Sequence, residues 1–501
     1  MEYLAGIDVG TTGVKILIID EKGDVKGSIT VEYPLFTPKP GWAEQNPSDW
    51  WEATVKGIKG LLEKTGIKGT EIKGIGLTGQ MHGSVFLNNR GDVIHPAILW
   101  CDQRTAKECE EITEKVRKER VFEITCNPVL TGFQAPKIIW LKKNHPEVYK
   151  KISKVLLPKD YIRFCLTGTF ATDVADASGT SLFDVKNRRW SEEILDALDI
   201  PSSFLPECFE SPEVTGYITE EVSALTGLAK GTPVVAGAGD QAAGGVGSGI
   251  VEEGLVSVSI GTSGVVFAHL EDVFVDPEGR LHTFCHAVPG KWHIMGVMLS
   301  AGGSFRWLRD IFFGRDESYK VMTDMAETIP AGSEGLLFLP YLTGERCPYP
   351  DPDARGVFFG ISLKHRKEHL VRAVMEGVSF GLKDSIKIMK EIGVPGCVKF
   401  RLTGGGAKSD LWCGMMADIF NGSTVRLKVE EGPSFGAAIL AGVGAGIYSN
   451  VKDACKKLVK EEENVFKPDK ENTEIYEKFY ILYGDLYKNL AVLFDNLAKI
   501  S

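Results

Sequence analysis

Two short segments of the chain carry the same arrangement of residues. Asp8-Val9-Gly10-Thr11-Thr12-Gly13 interrupts the apolar runs Leu4 to Ile7 and Val14 to Ile19, and Gly261-Thr262-Ser263-Gly264 interrupts Leu255 to Ile260 and Val265 to Ala268. Each reads as a β-hairpin with a loop of glycine and hydroxyl residues. Tight turns of this kind let backbone N–H groups converge on phosphate oxygens while the hydroxyls add donors. Two of them, facing across a cleft, would clamp the β- and γ-phosphates of a nucleoside triphosphate. Asp8 in the first turn suits the orientation of a hydrated Mg²⁺. Asp240 closes the apolar stretch from Thr232 and is placed to take a proton from a hydroxyl nucleophile. A third glycine turn, Gly404-Gly405-Gly406-Ala407, links a strand at Phe400–Thr403 to a helix from about Lys408 to Phe420 and allows close approach to an adenine or ribose. Phosphoryl transfer needs little beyond positioning, charge neutralisation and a base.

Competing glycine chemistries fail on their own terms. No G-x-x-x-x-G-K-[ST] is present, which excludes a P-loop. Gly237-Ala238-Gly239-Asp240-Gln241-Ala242 fits the dinucleotide pattern G-x-G-x-x-A, yet the acidic residue due some 20 positions on is missing and Asp240 would face a pyrophosphate. The bulk numbers narrow the field further. Net charge is −10 with lysines and arginines dispersed, so no nucleic-acid face is expected. No apolar run reaches the roughly 18–20 residues of a membrane span. The start MEYLAGIDVG lacks a signal-peptide pattern, and ten cysteines without a CxxC read as reduced thiols of a cytoplasmic protein with no structural metal.

A length of 501 residues calls for two large domains to position these groups. The two hairpins, about 250 residues apart, suggest a duplicated unit. The glycines at 245, 247, 249 and 254 mark the expected hinge, dividing residues 1–248 from 249–501. Asn46-Pro47 opens a helix. Ile72–Thr78 is a strand leading into Gly79-Gln80-Met81-His82-Gly83, and Val85–Leu87 with Val93-Ile94 forms a further hairpin. In the last 50 residues, Ile475, Phe479, Leu482 and Leu486 give a helical packing stripe.

Taken together the segments resemble the FGGY carbohydrate kinases, within the actin/hexokinase/Hsp70 nucleotide-binding superfamily. The resemblance runs from Gly6–Lys15 through Gly79–Gly83, Pro96–Trp100, Pro158–Tyr161, Asp176–Thr180, Gly239-Asp240 and Ile260–Gly264. It continues to Gly344-Glu345-Arg346, Ala354–Gly360 and His369–Glu376. It implies an α/β fold of two actin-like (ribonuclease H-like) ATPase domains, each a mixed five-stranded sheet, with a central cleft. It further implies ATP and Mg²⁺ as cofactors, a small sugar as acceptor, and a homodimer. By resemblance Asp240 is the general base and Met81 and His82 contact the sugar. Gly10, Thr11, Thr12, Lys15, Gly261, Thr262, Ser263, Gly405, Gly406 and Ala407 bind the nucleotide, and Asp8 acts through the metal. Glycerol kinases carry Gln-Arg-Glu where this chain has Gln80-Met81-His82, the version found in xylulokinases, so D-xylulose is the expected acceptor. Another ketose or an alditol is the alternative, because Gln241 stands where those relatives usually have Asn and one methylene can displace a hydroxyl partner. An actin- or chaperone-type ATPase would share the phosphate turns but not the sugar loop.

Overall fold

The structure is a computed structural model and describes residues 2–500. In the first half, the hairpin Tyr3–Val9 and Gly13–Asp20 pairs antiparallel, and Val25–Glu32 extends it on one side. On the other side Ile72–Gly79 and then Pro233–Val235 join in parallel. The second half repeats the plan. Leu255–Ile260 and Gly264–Leu270 form the hairpin, Trp292–Met298 extends it antiparallel, and Lys399–Thr403 and Ser423–Leu427 follow in parallel. Identical order and direction in both halves is the duplicated unit that the paired Gly-Thr turns announce. Each sheet is nonetheless seven-stranded rather than five. Val214–Tyr217 and the short Ala238–Gly239 enlarge the first, and His282–Cys285 and Glu461–Phe466 the second. These additions are two to six residues long, with little periodicity to betray them.

The segment ending in Asp240 differs from a single strand. Pro233–Val235 stops at Gly237, whose φ is +69°, and the chain re-enters the sheet at Ala238–Gly239. Asp240 is then the first residue of the helix Asp240–Gly247. The glycine turn after Thr403 is a 3₁₀ turn, Gly405–Lys408, and the following helix starts at Asp410 with Ser409 as its N-cap.

Two of the expected hinge glycines do a different job. Gly245 and Gly247 lie inside the helix, where an added Cβ would meet the Phe267 ring at 2.5 Å and the Gly432 carbonyl oxygen at 2.4 Å. They permit close packing. Only Gly249 and Gly254 have positive φ. The helix Pro433–Gly444, though late in sequence, packs on the first sheet. A Cβ at Gly6 or Gly76 would fall within 2 Å of its carbonyls, so bare backbone is what lets this apolar helix lie flush. The C-terminal helix, Lys470–Ala498, buries Tyr476, Tyr480, Tyr483, Tyr487 and Phe494 and leaves Leu482 exposed. Phe479 and Leu486 of the expected stripe pack half-buried against the same core, beside a ridge of tyrosines that the stripe did not include, and Leu482 falls outside the face.

Candidate active site

The parallel strands of the first sheet bring two carboxylates together at their C-terminal ends, the usual ligand edge of an α/β sheet. Asp8 pairs with Thr78 in register, Ala238 pairs with Thr78 from the other side, and Asp240 follows two residues later. Burial pushes Asp8 up to about 7, with the facing charge of Asp240 adding and Lys15 opposing. Burial likewise raises Asp240 to about 6, against a hydrogen bond in which Gln241 Nε2 donates to Asp240 Oδ1 at 3.3 Å. Asp8 Oδ1 is buried without a hydrogen-bond partner. An orphaned carboxylate oxygen beside a second carboxylate is a donor set that suits a hard cation and its waters.

The turn at Gly10–Thr12 is braced by the protein itself. Gly10 N–H donates to the Gly13 carbonyl at 3.1 Å, and the Gly10 carbonyl accepts from Tyr33 and, at 3.3 Å, from Gln80 Nε2. The Thr11 hydroxyl donates to Gln80 Oε1 at 3.3 Å and accepts from Trp100 Nε1 at 3.0 Å. That hydroxyl therefore shapes the turn, while Thr12 stands exposed at its tip. The second turn is exposed from Gly261 to Ser263 and tied from behind, with Ala301 and Gly303 donating to the Thr262 carbonyl at 3.0 Å each.

Met81 and His82 stand against glycines on both sides. A Cβ on Gly239 would lie 2.6 Å from Met81 Cγ, and one on Gly179 would lie 2.5 Å from the His82 ring. His82 adopts a left-handed backbone, φ +68°, and Lys137 Nζ donates to its carbonyl at 2.8 Å. Its Nδ1 is 2.6 Å from the Gly179 carbonyl. A carbonyl only accepts, so Nδ1 carries the proton and Nε2 is left as an acceptor. Burial drives the ring down to about 3, so it stays neutral. The ring stacks on Phe133 with centroids 4.4 Å apart, and Phe284 of the second sheet lies 6.3 Å away. Asn127 Oδ1 meets His282 Nδ1 at 3.1 Å and Ser178 Oγ accepts from the Cys285 N–H at 3.1 Å. This cluster of side chains thus sits where the two halves meet. Gly179→Ala should push the His82 ring aside, raising the KM for sugar about tenfold or more while leaving that for ATP within twofold. Initial-rate measurements with each substrate varied check this split.

A cavity of about 980 Å³ is lined by Gly261, Thr262, Gly302, Phe305, Tyr319, Gly405, Gly406 and Trp412, among others. Its size suits a nucleoside. A second cavity of about 270 Å³ contains Asp240, Gln241, Thr403, Gly404, Glu430 and Gly432. The glycine turn is the wall between them: Gly404 faces the acid and Gly405 and Gly406 face the larger space. Ala407 is fully buried, its carbonyl engaged by Cys413 and Arg426, and it does not line either cavity. Lys15 is held by Glu431 at 2.6 Å.

Several participants carry no local sequence signal. Gln45, whose Nε2 donates to the Thr11 carbonyl at 2.7 Å, reaches the first turn from a distant segment; Trp100 is visible as the end of Pro96–Trp100, but its bond to the Thr11 hydroxyl is not. Phe133, His282 and Phe284 become one wall only through folding. Lys159 is visible as part of Pro158–Tyr161, but its role is not: fully buried, it lies 2.6 Å from both Asp160 and Asp173. Asp173 Oδ1 accepts from Ala175 and Asp176 N–H at 2.8 and 3.0 Å, fixing the short helix that ends at the sugar-side loop.

The FGGY family of carbohydrate kinases matches this chain through its N-terminal domain at residues 3–247 and its C-terminal domain at residues 256–445. A xylulose kinase of Lactococcus lactis subsp. lactis is 40% identical over 501 residues, covering 100% of this chain and 99% of its own. A xylulose kinase of Bacillus subtilis is 39% identical and covers 97% of each. The crystal structure of a xyloylose kinase from Brucella ovis superposes with a TM-score of 0.92 at 35% identity, covering 98% of this chain and 100% of that one. With both halves matched, the actin-like repeat in place and relatives similar end to end, the chain belongs to the FGGY family of carbohydrate kinases.

Proposed function

We propose that this kinase transfers the γ-phosphoryl group of ATP to the terminal hydroxyl of an open-chain ketose, D-xylulose above others, giving D-xylulose 5-phosphate and ADP. The observation that carries the reading is the place of Asp240. It adjoins Gly239, against which Met81 of the sugar loop packs, and it shares a cavity with the glycine turn that walls the nucleotide space. Similarity to xylulose kinases along the whole chain supports the choice of ketose.

In this reading Asp240 accepts the acceptor hydroxyl's proton as that oxygen attacks phosphorus. Met81 and the neutral His82 hold the ketose, the ring accepting a hydrogen bond from a sugar hydroxyl at Nε2. Gln241 orients the Asp240 carboxylate, and its longer reach than Asn bears on which ketose fits best. The two turns, Gly10–Thr12 and Gly261–Ser263, bind phosphate oxygens from opposite halves. Asp8, with its unpartnered oxygen, would hold hydrated Mg²⁺, which when bound neutralises phosphate charge.

A coupled assay of ADP release tests the proposal across ketoses, alditols, glycerol and gluconate. D-Xylulose should give the highest kcat/KM, and preference for glycerol or for no acceptor would sink it.

Two subsidiary readings complete the picture. Among the described residues no helix is long and apolar enough to cross a membrane, and all ten cysteines are free thiols, which fits a cytoplasmic enzyme. The exposed apolar residues Ile481, Leu482, Val492, Leu493 and Leu497 on the C-terminal helix supply the face of a homodimer. Leu493→Glu should shift sedimentation from dimer to monomer, and a wild-type protein that sediments as a monomer would exclude the dimer.

A further inference from the structure

Asp8 and Lys15 stand directly opposite one another on the antiparallel strands of the first hairpin. Residues in that relation project from the same face with Cβ atoms about 5 Å apart, so Lys15 is the natural ion-pair partner of Asp8. The pair does not form. Lys15 Nζ lies 2.6 Å from Glu431 Oε2 instead, and Asp8 Oδ1 is left buried with no hydrogen-bond partner.

The backbone that carries Glu431 to this place is fixed. Glu431 immediately precedes Gly432, with φ +58°, and the helix Pro433–Gly444. Ser434 Oγ donates to the Glu431 carbonyl at 2.8 Å, and the first turn of that helix lies flush on the strand bearing Asp8, where a Cβ at Gly6 would fall 1.9 Å from the Ser434 carbonyl oxygen. A carboxylate carried in from the second half thus draws the ammonium away from a carboxylate of the first. Leaving Asp8 unpaired is costly in the free protein, and a hydrated divalent cation is the partner that relieves the cost.

We propose that Glu431 is a positioning residue for metal–nucleotide binding: by diverting Lys15 it keeps the Asp8 carboxylate open for the cation. The inference rests on the reading of Asp8 given above. Without the Glu431 charge, Lys15 would turn to Asp8 and the cation would have to displace it.

The test uses Glu431→Gln, which keeps size and removes charge at a partly exposed position. Mn²⁺ binding in the presence of ADP is followed by electron paramagnetic resonance, and metal-free ADP binding by calorimetry. Mn²⁺ affinity should fall about tenfold, ADP alone should change less than about twofold, and Glu431→Asp should recover most of the loss. In a Lys15→Met background the same Glu431→Gln change should have little effect, because no ammonium remains to occupy Asp8. Unaltered Mn²⁺ affinity in Glu431→Gln would overturn the proposal. So would an equal loss in the Lys15→Met background, which would mean that Glu431 acts on the cation directly. Neither measurement involves sugar. A wild-type protein that binds Mn²⁺ and ADP but phosphorylates no ketose would refute the proposed function and leave this inference standing.

Discussion

Asp240→Asn should lower kcat by about 10²–10⁴-fold, the usual worth of a general base, with the KM for ATP little changed. The amide keeps the size of the side chain and its place at the start of the helix Asp240–Gly247 but cannot take the proton. Two pH effects accompany the loss. Burial sets Asp240 at about 6, so wild-type kcat/KM should fall as pH drops through that value and the carboxyl fills with its proton. Stability moves the other way. A carboxyl whose folded value lies above its unfolded value of 3.8 favours the fold below that unfolded value, and the contribution is lost as pH rises through about 6. Asp240→Asn should therefore melt higher than wild type at pH 8, by no more than roughly 3 kcal/mol, and the advantage should vanish by pH 3–4. A variant that is no more stable at pH 8 and still turns over at the wild-type rate would remove Asp240 from the site.

Gly10→Val and Gly261→Val should each weaken MgATP binding by about 10–100-fold, the loss of one or two charge-assisted hydrogen bonds. The protein has room for a Cβ at Gly261, while at Gly10 the Gly13 carbonyl must give by a few tenths of an ångström. A Cβ at Gly261 has its nearest neighbour, the Ser263 carbonyl oxygen, at 3.6 Å, and one at Gly10 meets the Gly13 carbonyl oxygen at 3.2 Å. Neither glycine has positive φ. The substitutions should therefore block phosphate approach while leaving melting temperatures within a few degrees. Calorimetry showing wild-type nucleotide affinity in both would remove the two turns from the phosphate site. Gly406→Val makes a contrast, since a Cβ there would strike Ile260 at 2.5 Å and disturb the fold as well as the ligand.

What the sequence made legible were features written locally. The hairpins bearing Gly10–Thr12 and Gly261–Ser263, the sugar loop after Ile72–Gly79 and the glycine turn at 404–406 are each a strand followed by punctuation, and all appear as read. Their repetition revealed the duplicated sheet. Short edge strands such as Ala238–Gly239 escaped because two residues have no period, and with them went the true position of Asp240 at a helix start. Glycines inside Asp240–Gly247 looked like a hinge because sequence does not distinguish a glycine that must turn from one that must be thin. The wall of His82, Phe133 and Phe284, and the capture of Lys15 by Glu431, join residues tens to hundreds of positions apart. Only tertiary contact reveals such pairs.

The central claim is that the γ-phosphoryl group goes to a ketose hydroxyl and not to water. Phosphorus NMR of the protein incubated with ATP, Mg²⁺ and D-xylulose reads this directly. The expected spectrum shows a phosphomonoester signal coupled to the C5 methylene protons of the sugar, growing in step with ADP, and almost no ADP when the ketose is left out. Inorganic phosphate appearing at the same rate with or without the sugar would contradict it.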